Sequence, residues 1–388
     1  MRTLFKITLL MLITSVAVNA QKYEIINKSF NADKKTTAIF NIDYSTLAIE
    51  ESTDGKIHIN YTMEFEGYSK KKIKVKLEEI NVKVSSYQNH VTVSVNSISS
   101  LADVQYEYND EGGRNFYMYT QKNEKDSITR KSKDSLLTFI KRRNGIYNNS
   151  LKFVNNKFKK VDKNGKLVNI KGSNLIRSKF VIKIPPYIKL TINGKQSKFF
   201  LKNDFRNEFV VDLKGGYIRA KQLYNNYNRF KIKNVAFEAE DLTGGDYTFI
   251  NVNKGYIGSL RNVKINSEFS YIEIGEIQNK TTISDFNSEY YLYNWSKDFK
   301  RFNLYSEYSK IHFFYPKSDY SFKVFGNNTK HIVGKNFVAN FQPNKNGEKY
   351  NMMEHKVQGI GDFSGNIYFD IVHGIIYAHE DTMSSTNN

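Results

Sequence analysis

Ala220-Lys221-Gln222-Leu223, Ala239-Glu240-Asp241-Leu242, Ile257-Gly258-Ser259-Leu260, Ile274-Gly275-Glu276-Ile277 and Leu292-Tyr293-Asn294-Trp295 are one phrase repeated along the chain. Each holds an apolar residue, two spacers and a larger apolar residue. Leu201 reads as an early copy, and Phe313-Phe314-Tyr315-Pro316 as a last, altered one. The copies return about every 17 to 21 residues, a period suited to stacked repeats.

Strand-like runs fall between the copies: Phe209-Val210-Val211-Asp212-Leu213, Phe230-Lys231-Ile232, Phe249-Ile250-Asn251-Val252, Val263-Lys264-Ile265 and Phe302-Asn303-Leu304. Alternation gives each run an apolar and a polar face. Ile218, Ala220, Phe237, Ala239, Ile272 and Ile274 point inward. Arg219, Lys221, Glu238, Glu240, Tyr271 and Glu273 point outward. One hairpin of this kind buries too little surface to stand alone, whereas stacked repeats cover one another. Gly215-Gly216, Gly244-Gly245 and Gly255 precede strands and permit tight corners. The expectation is an all-β fold: a β-solenoid, parallel β-helix-like, with a strand-rich N-terminal part. An antiparallel sandwich with evenly spaced hairpins is the competing architecture. The return of one side-chain type to one corner favours the solenoid.

Working outward, Ile39-Phe40-Asn41-Ile42, Leu47-Ala48-Ile49 and Ile57-His58-Ile59-Asn60-Tyr61 read as strands. Asp54-Gly55 is a hairpin signal between the last two. The runs beginning at Ile73, Ile80 and Val91 alternate and read as strands, although 70–80 also tolerates a helix. A strand at 179–184 ends at Pro185-Pro186. Further strands are expected at 320–325, 337–341, 365–371 and 374–377. The expected partition is a signal peptide at 1–20, a β-rich part at 21–100 and a basic, partly flexible insertion at 101–175. Repeats follow at 176–316, closing strands at 317–380 and a tail at 381–388. Inside the insertion, 134–140 has the spacing of a short helix.

Arg2 and Lys6, the apolar run 7–18 and the small-x-small Val18-Asn19-Ala20 have the form of an export signal, so the mature chain is expected to start at Gln21. The run is too short to span a bilayer comfortably, and no transmembrane span is expected. The absence of cysteine excludes disulfides and thiolate metal sites. The net charge is +19, and residues 122–171 carry fifteen Lys and Arg against four acids. Lys141, Arg142, Arg143, Lys159 and Lys160 are the candidate contacts to an anionic surface. Basic patches commonly meet nucleic acid, but export argues against it. A glycan or an anionic envelope component is the expected partner, and nothing in the pattern fixes an oligomeric state.

Several of these stretches together resemble the DUF4097 family of exported bacterial adhesin-type proteins, related to the head domains of autotransporter adhesins. They are 47–63, the pair at 77–95 with its Glu78-Glu79-Ile80 start, the strand-then-proline step 181–186, the repeats and the Gly374-Ile375-Ile376 close. The resemblance implies a β-solenoid-like fold and an envelope or surface location, and brings no catalytic residues. The long basic insertion and the high Tyr and Asn content depart from the family pattern.

The seven histidines form no His-Glu-x-x-His arrangement, and no Gly-x-Ser-x-Gly elbow is present. Gly359-x-Gly361-x-x-x-Gly365 lacks the strand-to-helix context of a phosphate loop. His373 and His379 with Glu380 and Asp381 are the one cluster of potential metal ligands, better read as a strand face and a solvated tail. No metal or cofactor is expected. The enzymatic rival is a polysaccharide-active enzyme using outward acids Glu238, Glu240, Glu273 and Glu276; solvated surface charge is the preferred reading of these acids. Outward aromatics Tyr217, Tyr256, Tyr271 and Phe314 are the candidate ligand contacts, since a tyrosine offers an apolar ring and a polar tip. The chain is expected to be a non-catalytic binding or scaffold module.

Overall fold

The computed structural model of the chain describes residues 20–97, 104–109, 115–119, 159–161, 167–169, 174–316, 320–332, 340–343, 350–356 and 365–379. They form an all-β fold whose strands join into one 24-stranded sheet. Lys159–Val161 and Leu167–Asn169 pair separately as a two-stranded ribbon. The expected signal peptide, the 134–140 helix and the tail lie outside the described residues.

Over 37–51, 189–314 and 365–379 the chain alternates between two parallel stacks, contributing a strand to each in turn. Gln21–Asn31, Lys56–Glu66, Asn81–Tyr87, Val104–Asn109, Asn115–Tyr119, Asn340–Pro343 and Tyr350–Lys356 join by antiparallel pairing. One inward row of the first stack runs Val93, Phe40, Ile192, Val211, Phe230, Tyr247, Ile265, Ile283, Leu304, Phe369 and Val324, each in register with the next. The matching row of the second stack runs Ile182, Ile49, Leu201, Ala220, Ala239, Ile257, Ile274, Leu292, Phe313 and Ala378. Every one of these side chains is buried. The first letter of the repeated phrase is therefore a core position. Leu223, Leu242, Leu260, Ile277 and Trp295, three residues later, pack into the same core. Polar contacts between neighbouring repeats span 17, 18, 19 and 21 residues.

The corner from the first stack to the second has its own chemistry. One residue adopts a left-handed backbone, and in many repeats a serine follows: Tyr44-Ser45, Gln196-Ser197, Phe269-Ser270, Asn287-Ser288 and Tyr308-Ser309. Asn328-Thr329 is a variant of the same step. The hydroxyl donates to the carbonyl two residues back, as from Ser45 to Asp43 (2.9 Å) and from Ser270 to Glu268 (2.8 Å). It also accepts an amide from an adjacent repeat: Val252 to Ser270 (3.1 Å), then Ser270 to Ser288 (2.9 Å). Backbone groups that the turn would strand inside the fold are thereby paired. Gly215-Gly216, with φ of +75° and +113°, occupies this corner without a hydroxyl, and a Cβ on Gly216 would strike the Ser197 backbone.

The order of repeats in space departs from their order in sequence at both ends. Thr37–Asp43 pairs with Lys189–Leu201 on one side and with His90–Asn96 on the other. Gly365–Val372 lies between Arg301–Glu307 and Tyr320–Asn327, and Ile375–His379 lies between Lys310–Phe314 and Lys330–Ile332. The last repeat of the chain is thus inserted beneath the one preceding it.

Two local expectations fail. Asp54-Gly55 closes no hairpin, because Asn174–Ile184 runs between the strands it joins: Val181 is in register with Ala48 on one side and Asn60 on the other. The run at Ile73 is a helix, Lys70–Glu78. Ser69 caps it by accepting the Lys72 amide (3.4 Å), and Ile73 is its buried residue.

Candidate functional site

The outward side of the second stack carries a continuous row: Phe200, Arg219, Glu238, Tyr256, Glu273, Tyr291, His312 and Tyr377, each in register with the next. Alternation aims these side chains away from the core. Strands about 4.8 Å apart nevertheless lay long side chains against one another. Glu238 and Glu273 are each 1 % exposed, and Arg219 and Tyr256 are also buried. The reading of these two acids as solvated surface charge is therefore corrected. Glu240 and Glu276 are half-buried.

Glu238 pairs with Arg219, with Nη2 at 2.9 Å and Nε at 3.0 Å from one carboxylate oxygen. The Arg219 guanidinium lies 5.1 Å from the centre of the Tyr217 ring. Glu273 accepts hydroxyls from Tyr271 and Tyr293, each at 3.0 Å. Burial, then the Glu273 charge, pushes the Tyr271 hydroxyl far above its ordinary range, so it stays protonated and donating.

The row ends in a tighter assembly. Glu289 accepts the Tyr291 hydroxyl (2.9 Å) and lies 3.3 Å from His312 Nε2. Burial, followed by the hydrogen bond to Glu289, pushes Tyr291 up to about 12. His312 Nδ1 is 3.1 Å from His379 Nε2, and the ring centres are 5.4 Å apart with planes 7° apart. Those values place the imidazoles edge to edge in one plane, joined by a hydrogen bond. The network assigns the His312 proton to Nε2, facing Glu289, and leaves Nδ1 to accept from His379. Tyr291 and Tyr377 sandwich the His312 ring at 4.0 and 4.6 Å. Burial pushes both imidazoles below their ordinary value. The His379 charge adds to this at His312, and Glu289 opposes it. The assembly is a preformed strip of aromatic faces with carboxylates held by hydroxyls and imidazole.

Of the aromatics expected from sequence, Tyr256 is buried against Tyr293, and Tyr271 and Phe314 pack on the same cluster, which also gathers Tyr291. Tyr217 stands apart, half-buried beside Phe200. Lys159 and Lys160 fall in the two-stranded ribbon, while Lys141, Arg142 and Arg143 lie outside the described residues. Of the expected metal cluster, His379 meets His312 and His373 stacks on Tyr308 (5.0 Å), so the two histidines are not brought together, while Glu380 and Asp381 lie outside the described residues. Among the described residues no three metal-ligating side chains converge. Glu289, Tyr291, His312 and Tyr377 were not singled out from sequence. Their signal is positional: Tyr291, His312 and Tyr377 stand one residue before the inward Leu292, Phe313 and Ala378, and Glu289 three before Leu292.

No family model matches this chain, and no curated protein does. Two solved structures do. One, described as a “putative cell adhesion protein” from Clostridium sporogenes, has 9 % identity over 94 % of this chain and 100 % of that one, with a TM-score of 0.20. Another, described as a “putative adhesin” from Bacteroides fragilis, has 10 % identity over 93 % and 99 %, with a TM-score of 0.33. Scores of this size do not establish a shared fold.

Proposed function

We propose that this chain is a non-catalytic, adhesin-like module of the cell envelope or surface, a β-solenoid that binds a glycan on its outer side. The carrying observation is the end of the outward row, where the half-buried rings of Tyr291, His312 and Tyr377 are fixed side by side with Glu289 over successive repeats. The in-register parallel pairing supports the solenoid, and the resemblance to the DUF4097 family and the N-terminal signal pattern support the location. The rival enzymatic reading needs free carboxylates at matching positions. Glu238 is instead engaged by Arg219, and Glu273 by two tyrosines.

Purified protein is tested against neutral and acidic glycans, with binding and chain cleavage both measured. Binding without cleavage is the expected result, and cleavage of any glycan overturns the proposal. A second reading, attachment to anionic envelope components through 122–171, rests on the fifteen-to-four excess of basic residues there. It predicts salt-sensitive binding to anionic vesicles, abolished by deleting that segment.

A further inference from the structure

The corner between the stacks carries a second feature that the outward row does not explain. In successive repeats its left-handed residue is Gly215, Asn234, Asn251, Phe269, Asn287, Tyr308, His373 and Asn328 in spatial order, with φ between +49° and +75°. Glycine and asparagine adopt that backbone readily, and a bulky aromatic does not. Phe269 and Tyr308 nevertheless occupy it, at φ +49° and +58°. Both are 52 % exposed, so core burial does not offset the strain. Phe286, 38 % exposed, bridges them, 5.5 Å from Phe269 and 5.8 Å from Tyr308. The His373 ring stacks on the far side of Tyr308. Backbone strain spent on exposing aromatic rings marks an interaction surface.

The charge around this ridge narrows the ligand. Glu268 and Glu307 are in register with Phe286 on either side, and both are exposed. The lysine nearest in sequence, Lys310, lies beyond the corner on the other stack, in register with Glu289. Two carboxylates beside the rings repel an anionic chain. They accept hydroxyl groups from an uncharged one, whose C–H faces lie on the rings.

We propose that the Phe269–Phe286–Tyr308 ridge binds an uncharged glycan chain lying along the stack. The inference rests on the reading of the protein as a glycan-binding module, and adds a second contact surface, at the corner, and the ligand class. The test exchanges the aromatics for the residue that neighbouring repeats use, in the double variant Phe269→Asn/Tyr308→Asn. Binding is measured calorimetrically to neutral hexasaccharides of glucose, mannose and N-acetylglucosamine, and to polygalacturonate. The wild type is expected to bind a neutral oligosaccharide, and the variant to lose roughly tenfold in affinity, as two ring contacts imply. Its melting temperature should hold or rise, because asparagine tolerates the backbone. Unchanged binding in the variant overturns the ridge and leaves the functional reading standing. Binding only to polygalacturonate overturns the ligand class. Failure of the wild type to bind any glycan overturns both. Self-association that the double variant abolishes would give the ridge to a second copy of the chain instead.

Discussion

The Ser270 amide donates to Ser288 Oγ over 2.9 Å, and Ser288 repeats the relationship with Ser309 at 3.0 Å. A side chain thus replaces the backbone partner that the corner removes. Ser288→Ala leaves the buried Ser270 amide without this partner, while the Phe286 carbonyl loses the hydroxyl at 3.3 Å but keeps the Phe269 amide at 3.0 Å. The expected cost is about 1–3 kcal/mol, the price of an unmade buried hydrogen bond, read as a lower urea midpoint with little change in slope.

Arg219 and Glu238 should behave as a buried pair. Glu238→Gln leaves a guanidinium buried without its counter-charge and is expected to destabilise by about 3–5 kcal/mol. Replacing both with leucine should cost far less than either single change, because no buried charge then remains. A double-mutant cycle in urea checks this. Equal losses in the single and double variants would refute the pairing argument.

Acid should weaken the fold through His312 and His379. Both have folded values below the ordinary imidazole range. The unfolded chain therefore takes up protons first, and stability rises with pH across that interval. The contribution is complete above the unfolded value of about 6.5 and is lost as pH falls below it. Glu289, Tyr291, Tyr377 and Lys310 face the pair, and of these Glu289 alone favours the protonated form. The melting temperature is expected to drop between about pH 7.5 and pH 5. In His312→Phe/His379→Phe the drop should shrink. Burial lowers His331 as well, so some pH dependence should survive in that variant.

Gly365 opens the strand Gly365–Val372, and a Cβ there would enter the ring of fully buried Phe299. Phe299 is itself held 5.0 Å from Trp295. Gly365→Ala is expected to cost about 1–3 kcal/mol as overpacking. Combining it with Phe299→Leu should recover part of the loss, and thermal melts of the two variants decide the point.

The inward half of the fold was legible in the sequence because burial tolerates few residue types. Ala220, Ala239, Ile257, Ile274 and Leu292 announce themselves by returning at one period. The corner was less legible. Tyr44, Phe269 and Tyr308 look like surface residues, and nothing in their composition signals a left-handed backbone. The serine after each is too common a residue to stand out without the register. The outward row misled for another reason. Glu238 and Glu273 alternate correctly, but alternation reports direction, not exposure, and neighbouring side chains bury what points outward. Ile73 alternates like a strand, but the segment is a helix capped by Ser69.

The inserted last repeat bears on how the molecule is completed. Among the described residues, 320–327 have no parallel neighbour until 365–372 arrives to lie between them and 301–307. The stack therefore cannot be laid down in the order in which the chain is made. A chain cut short before 365 forfeits two repeats, the missing one and the one already synthesised that should rest on it. Completion of this end is then tied to 365–379, and a chain lacking them is left with an unfinished, sticky strand edge at 301–314.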